Sequence, residues 1–209
     1  MIPSLFIQNP KTAGLSMRLA LLPFGLHVIN PLDLDEVAAF QHNAPLVSFA
    51  HASVGAVRDA GIITQEWIDD RWSFGFLRNP WDRTVAVYNY LLRVRKPHFL
   101  AKYGIVSFAD FAGRLEGKID PIGLFNWRGL SQANPQSVWL AHCDFIGRFE
   151  HLDRDWQLVC VKLGVDAALS HVNEFPHPPY QEYYTVRLRD QIGRIFSRDV
   201  ELGEYEFSA

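Results

Sequence analysis

The sequence predicts a single α/β domain in which helices flank a central, mostly parallel sheet. Short apolar runs alternate along residues 1–209 with longer stretches that repeat apolar side chains at helical spacing, and this alternation is typical of parallel strands joined by helices. The chain has 209 residues, of which 48% are hydrophobic, so it is long enough to bury one stable core. It shows no internal repeat and no low-complexity segment, which favours one domain over the whole length.

Five strands and seven helical stretches follow from these patterns. The predicted strands are residues 5–8, 27–30, 46–50, 72–77 and 145–149. The predicted helices are residues 15–22, 33–41, 81–95, 108–115, 153–163 and 185–200, and residues 54–70 have helical spacing that Gly61 interrupts. Between residues 96 and 135, prolines and glycines break the pattern on either side of the helix at 108–115, and an excursion of this length is often functional.

The composition excludes several classes of function. The net charge of −3 gives no general attraction to nucleic acid or to an anionic membrane, so any anion site must be a local cluster of basic groups. The start of the chain has neither the basic and apolar regions of a signal peptide nor a long apolar anchor, which predicts a cytoplasmic protein without a membrane anchor. Cys143 and Cys160 indicate neither a disulfide framework nor a metal site.

A candidate anion-binding loop follows the first predicted strand. Residues 10–16 read Pro-Lys-Thr-Ala-Gly-Leu-Ser and open directly into the predicted helix 15–22. Backbone N–H groups and the dipole at such a helix start attract phosphate or sulfate, while Lys11 adds a mobile charge and Thr12 and Ser16 add hydroxyl donors. The order differs from a Walker A loop, because the lysine precedes the glycine. The alternative is an ordinary turn with a helix N-cap at Thr12 or Ser16.

A second strand delivers an arginine to the same edge of the predicted sheet. The buried run 72–77 leads into residues 78–83, Arg-Asn-Pro-Trp-Asp-Arg, in which Asn79 suits an N-cap and Pro80 suits the first helical turn. Ligands of open α/β sheets bind at the carboxyl ends of the strands, so Arg78 is a candidate anion ligand. The alternative is that Arg78 forms an ion pair with Asp82 at the start of the helix.

These motifs resemble those of the sulfotransferases that use 3′-phosphoadenosine 5′-phosphosulfate (PAPS), and in particular their carbohydrate-type branch. The matching stretches are residues 6–14, 76–83, 145–150, 180–184 and 199–207, in an order that covers nearly the whole chain. The resemblance implies a P-loop-like α/β domain and PAPS as co-substrate without a metal ion. It also implies transfer of the sulfuryl group to a hydroxyl of a carbohydrate or a small glycosylated acceptor.

The resemblance implies roles for individual residues as well. Lys11 is expected to neutralise the phosphate oxygen that bridges to sulfur, and Arg78 is expected to hold the 3′-phosphate. The backbone expected to hold the 5′-phosphate belongs to Thr12, Ala13, Gly14, Leu15 and Ser16. Family members commonly have a serine eight residues after this arginine as a second ligand of the 3′-phosphate, whereas this chain has Ala86. Ala86 therefore stands at a cofactor-binding position and predicts weaker donor binding.

His51 is the candidate general base among eight histidines. It follows the predicted strand 46–50 on the same sheet edge as Lys11 and Arg78, and the branch that the chain resembles has a histidine at this place. A histidine pKa of about 6.5 allows proton abstraction from a hydroxyl at neutral pH. The alternative is a structural histidine that caps a helix or makes a fixed hydrogen bond. Residues 96–135 would select the acceptor, with Trp127 and Arg128 as a candidate wall against a sugar ring.

Two other functions stay open. Ala86 favours a non-catalytic or weakened relative that binds PAPS or its product, 3′-phosphoadenosine 5′-phosphate (PAP). A nucleotide-dependent phosphotransferase of the P-loop type would need magnesium and an acidic ligand at a strand end, and no strand that ends in such an aspartate is evident. The expected acceptor is a small molecule or a glycan, and the sequence predicts neither its identity nor the oligomeric state.

Overall fold

A five-stranded parallel sheet forms the centre of the computed structural model, which describes residues 1–95, 100–116, 131–141, 143–170, 172 and 177–208. The strands are β1 (Ser4–Ile7), β2 (Leu26–Val28), β3 (Leu46–Ser48), β4 (Trp72–Leu77) and β5 (Phe145–Arg148). Their order is β2-β3-β1-β4-β5, and every pairing is parallel. The predicted α/β fold is confirmed, and its sheet is parallel throughout.

Ten α-helices accompany the sheet in the described part of the chain. They are α1 (Gly14–Leu21), α2 (Leu34–Ala38), α3 (Val54–Asp59), α4 (Gln65–Asp69), α5 (Pro80–Arg95), α6 (Phe108–Glu116), α7 (Ser137–Leu140), α8 (Leu152–Leu163), α9 (Val186–Ile195) and α10 (Ser197–Gly203). The predicted interruption at Gly61 is confirmed by its φ of +75° between α3 and α4.

The structure corrects the predicted helices at two places. The single helix predicted at 185–200 is divided at Phe196, whose φ and ψ of −107° and 29° leave the helical region. The short helix α7 was not predicted, because one turn carries too little periodic signal. The N–H groups at its start donate to the buried carboxylate of Asp199, which lies far along the chain on α10. Much of the irregular excursion predicted at 96–135 lies outside the described residues.

Side chains on the two faces of the sheet enter separate apolar layers. Leu5 and Ile7 of β1 pack with buried residues of α3, α4 and α7 on one face. Phe6 points to the opposite face and packs with α1 and α8. A further cluster joins α5, α6, α9 and α10, and none of its described members belongs to a strand. The sheet therefore lies between two helical layers, as parallel sheets require.

The strand order reverses between β1 and β4. The chain leaves β1 towards β2 on one side and leaves β4 towards β5 on the other, although the two strands are neighbours with Ile7 paired to Gly75. Such a switch point opens a crevice at the carboxyl ends of the strands. The loop after β1 and the segment that begins at Arg78 border this crevice.

Candidate active site

A cavity of about 580 Å³ opens at the carboxyl edge of the sheet. Its lining includes three basic residues, Lys11, Arg18 and Arg78, and two histidines, His51 and His177. None of the described residues that line it is acidic, although the whole chain carries a net charge of −3. The cavity is therefore a local concentration of positive charge, which is suited to an anionic ligand.

The backbone of the loop between β1 and α1 has an unusual conformation. Lys11 and Ala13 have φ values of 68° and 60°, in the left-handed region that residues with a Cβ seldom adopt. Each such residue costs on the order of 1 kcal/mol or more and persists only where its surroundings enforce it. Residues in left-handed conformation beside right-handed ones direct successive N–H groups into one concavity, which binds anions.

Helix α1 begins at the cavity without a side-chain cap. Ala13 is its N-cap residue and makes no side-chain hydrogen bond, whereas Gly14, Leu15 and Ser16 of the first turn all line the cavity. First-turn N–H groups have no partner within a helix, so here they face the space that a ligand would occupy. Gly14 is required by close packing, because a Cβ at this position would lie 2.7 Å from Cγ of Gln8.

The two predicted hydroxyl donors of the loop behave differently. The buried hydroxyl of Thr12 donates to the carbonyl of Asn9 at 2.8 Å, and Thr12 does not line the cavity. This hydroxyl stabilises the loop instead of facing a ligand. Oγ of Ser16 does border the cavity and accepts a hydrogen bond from the N–H of Val172 at 3.4 Å. Neither side chain caps α1, so the alternative of an ordinary capped turn is wrong.

Lys11 lies against the wall formed by α5. Its ammonium nitrogen is 4.3 Å from the centre of the Tyr90 ring, a cation–π contact within the cavity. Burial, and secondarily the charge of Arg78, lower the pKa of Lys11 to about 8. At neutral pH the side chain is still mostly protonated, and an anion in the cavity would favour the charged form further.

Arg78 is held by several contacts and also lines the cavity. Its Nε donates to Asp82 Oδ2 at 2.7 Å, its Nη1 donates to the carbonyl of Lys11 at 3.2 Å, and its guanidinium lies 4.2 Å from the centre of the Phe149 ring. The ion pair considered as an alternative is therefore present. Arg78 nevertheless lines the cavity, as expected of an anion ligand.

Ala86 lines the same cavity as Arg78. Of the neighbouring polar residues on α5, Thr84 is buried and donates its hydroxyl hydrogen to the carbonyl of Pro80, whereas Asn89 lines the cavity. Nδ2 of Asn89 donates to the carbonyl of Val85 at 3.0 Å and to Tyr183 at 3.3 Å. The methyl group of Ala86 thus occupies a place where a serine would present a hydroxyl.

A hydrogen bond to the backbone fixes the tautomer of His51. Its Nδ1 lies 2.9 Å from the carbonyl oxygen of Gln8, which can only accept, so Nδ1 carries the hydrogen and Nε2 is free to take a proton. Burial lowers the pKa of His51 most, the Gln8 carbonyl raises it, and the charges of Lys11 and Arg18 lower it further. The imidazole is therefore neutral at pH 7. The structural hydrogen bond considered as an alternative is the one that sets this tautomer.

Of the seven other histidines, four lie among the described residues. His177 lines the cavity, whereas His27, His42 and His151 do not. Those outside the described residues are His98, His142, His171, Trp127 and Arg128.

Gln136 stabilises the site through buried hydrogen bonds, and sequence reasoning did not identify it. This fully buried side chain accepts from Nδ2 of Asn9 and from the backbone N–H of Arg78, both at 3.0 Å, and donates to the carbonyl of Arg78 at 2.7 Å. Asp199 fixes Gln136 in turn by accepting its backbone N–H at 2.7 Å. One carboxamide therefore joins the ends of β1 and β4, and no periodic pattern marks such a residue.

Arg83 provides a second support that the sequence motif did not explain. Its buried guanidinium donates to three carbonyl oxygens, those of Pro10 at 3.2 Å, Asn134 at 3.0 Å and Gln132 at 2.6 Å. Burial lowers the pKa of Arg83 to about 10, so it stays charged at neutral pH. It connects the loop between β1 and α1 to the segment that precedes α7.

The described residues contain no group of three or more histidine, cysteine, aspartate or glutamate side chains placed to hold a metal ion. No helix among them is both long and apolar enough to span a membrane. The thiols of Cys143 and Cys160 are free in the structure.

Comparisons with known proteins identify the fold. No family model matches the chain, and no curated protein matches its sequence. Among solved structures, mouse sulfotransferase SULT7A1 complexed with PAP superposes with a TM-score of 0.57 at 10% identity, over 94% of this chain and 83% of that one. A sulfotransferase from Alicyclobacillus acidocaldarius gives a TM-score of 0.52 at 16% identity, over 99% of this chain and 98% of that one. The chain therefore shares the α/β fold of these sulfotransferases.

Replacement of Gln136 by leucine should reveal how far the site depends on its support. We expect Q136L to lower the free energy of unfolding by about 2–4 kcal/mol, because the backbone N–H and carbonyl of Arg78 lose their partner. Urea denaturation measures this difference. The matched control is Q157L at an exposed position of α8, which should change stability by no more than about 0.5 kcal/mol. A Q136L protein as stable as the wild type would contradict the assignment.

Proposed function

We propose that this protein is a PAPS-dependent sulfotransferase that transfers a sulfuryl group to a hydroxyl of a carbohydrate or a small glycosylated acceptor. The observation that supports this most is the convergence of an uncapped helix start, Lys11, Arg78 and a neutral, oriented His51 on one cavity. Sulfotransferase structures share the fold, and one of them is complexed with PAP. A cytoplasmic location is part of the same proposal.

The donor would bind through its two phosphate ends. The 5′-phosphosulfate would lie at the start of α1, where Ala13, Gly14, Leu15 and Ser16 border the cavity. The 3′-phosphate would lie at Arg78, whose fork can form two parallel hydrogen bonds. In this proposal Lys11, Arg78 and the helix start supply the positive charge that a metal ion brings in other nucleotide sites.

The transfer itself would be an in-line displacement at sulfur. The acceptor oxygen forms a bond to sulfur while its proton passes to Nε2 of His51. The bond between sulfur and the bridging phosphate oxygen breaks, and PAP leaves with the electron pair. Lys11 would neutralise the charge that develops on this oxygen, and preorganised stabilisation of that kind is usually the largest contribution to rate.

Two alternative functions are each supported by one feature of the site. Ala86 at the cavity favours a relative that binds PAP or PAPS weakly and does not catalyse transfer. The phosphate-binding character of the loop would also suit a P-loop phosphotransferase. The tautomer and lowered pKa of His51 favour catalysis over binding alone, since a general base must be unprotonated at working pH.

Nucleotide binding without metal tests the proposal against both the phosphotransferase and an unrelated function. PAP should raise the melting temperature in the presence of EDTA, because the cavity itself carries the required charge, and ATP and GTP should give much smaller shifts. Thermal unfolding with each nucleotide, with and without magnesium, measures this. Equal shifts with ATP, or a strict need for magnesium, would exclude the sulfotransferase proposal.

Removal of the Lys11 charge should slow the transfer step. We expect K11A to reduce kcat about 10²–10³-fold with the fold intact, because one preorganised charge opposite the leaving oxygen is lost. The wild-type kcat/KM for the donor, which reports the free protein, should also fall as the pH rises above about 8, where Lys11 deprotonates, and K11A should lose this alkaline limb. K162A, on the exposed side of α8, is the matched control. Full activity of K11A would show that Lys11 does not contribute to the transfer step.

Removal of the imidazole of His51 should abolish turnover and spare PAP binding. We expect H51A to lose about 10²–10⁴-fold in rate, and H51N, which keeps a donor towards the Gln8 carbonyl, to fold and be equally inactive. Because burial lowers the pKa, the wild-type rate should fall with decreasing pH through a midpoint below the ordinary value of 6.5. Exposed His151 provides the control H151A. Wild-type turnover by H51A on the true acceptor would show that His51 is not the general base.

A further inference from the structure

His177 lies in a three-membered cluster with Asp82 and Arg78, and the two basic members of this cluster line the cavity. Its Nε2 is 3.7 Å from Asp82 Oδ1, and the other oxygen of this carboxylate accepts from Arg78 Nε at 2.7 Å. The side chain of His177 is 14% exposed and lines the same cavity as Arg78 and Ala86. One carboxylate therefore joins the arginine and the histidine on the same side of the site.

The ring of His177 is oriented by two further contacts. Nδ1 lies 2.7 Å from the carbonyl oxygen of Pro178, so Nδ1 carries a hydrogen and Nε2 is the nitrogen on the Asp82 side. The edge of the ring meets Tyr183, with ring centres 6.3 Å apart at 89°, and the Tyr183 hydroxyl accepts from Nδ2 of Asn89. The imidazole is thus connected to α5 both through Asp82 and through Tyr183.

Among the described residues around Arg78, few other donors are available to a phosphate. Ala86 contributes only a methyl group, Nδ2 of Asn89 already donates to Val85 and Tyr183, and Nε of Arg78 is engaged by Asp82. A protonated His177 would add a second positive charge and an Nε2–H donor beside the arginine. Its charge would also offset the repulsion between Asp82 and the incoming phosphate.

We infer that His177 is a second ligand for the phosphate that Arg78 binds, in the place left without a hydroxyl by Ala86. This inference rests on the proposed function, in which that group is the 3′-phosphate of the donor. His177 acts here as a binding residue and takes no part in proton transfer from the acceptor.

A comparison of PAP with adenosine 5′-monophosphate (AMP) isolates the 3′-phosphate, because the two nucleotides differ only in that group. Calorimetric titration of H177A should show PAP affinity reduced about tenfold or more, as expected for loss of a hydrogen bond between charged groups. AMP affinity should change less than about twofold. H177Q, which keeps an N–H donor without the charge, should lose less than H177A, and exposed H151A should match the wild type.

A serine at position 86 provides the complementary test. We expect A86S to raise PAP affinity, and A86S in the H177A background to recover part of the lost affinity, without effect on AMP. Equal losses of PAP and AMP affinity in H177A would overturn the inference, as would unchanged PAP affinity or lost turnover with intact PAP binding. If wild-type protein fails to bind PAP at all, the proposed function itself fails. A PAP-binding wild type with an unaltered PAP-to-AMP ratio in H177A rejects only the role of His177.

Discussion

The left-handed backbone at Lys11 and Ala13 is the constraint on which the rest of the site depends. This conformation costs free energy that the loop does not recover by itself, so neighbouring elements must enforce it. Arg83 holds the carbonyl of Pro10, Arg78 holds the carbonyl of Lys11, and the Thr12 hydroxyl closes the loop on Asn9. The donors come from the segment between β4 and α5, from α5 and from the loop itself, so the chain that follows β4 stabilises the loop after β1.

The same arrangement concentrates positive charge. Arg78 lowers the pKa of both Lys11 and Arg83, although burial is the larger cause in each case. Asp82 and Asp199 offset part of this repulsion, the first by its ion pair with Arg78 and the second through its field at Arg83. Part of the repulsion remains, and an anion bound in the cavity would reduce it.

The sequence was sufficient for features that depend on local pattern. Strand β4 and the start of α5 lie where predicted, since a buried run, an Asn N-cap and an early proline are all local signals. The position of His51 at the cavity followed from parallel topology, which brings strand ends to one edge. Gln136 and Asp199 were beyond such reasoning, because their partners lie 58 to 127 residues away. The division of the last helix at Phe196 was not predicted either. It places Asp199 against α7, a contact that depends on residues far apart in the sequence.

Gln8 connects the two halves of the proposed chemistry. Its carbonyl orients the imidazole of His51, its buried side chain packs on Gly14 at the start of α1, and it lies three residues before Lys11. The position of the proposed base relative to the loop that holds Lys11 is therefore set by the end of one central strand, and sites built on such elements are more precise than sites built on loops. Loops farther along the chain can then vary with the acceptor while the geometry of proton transfer and leaving-group stabilisation stays fixed. Separation of this kind lets one fold serve many acceptors, because specificity and reactivity depend on different elements.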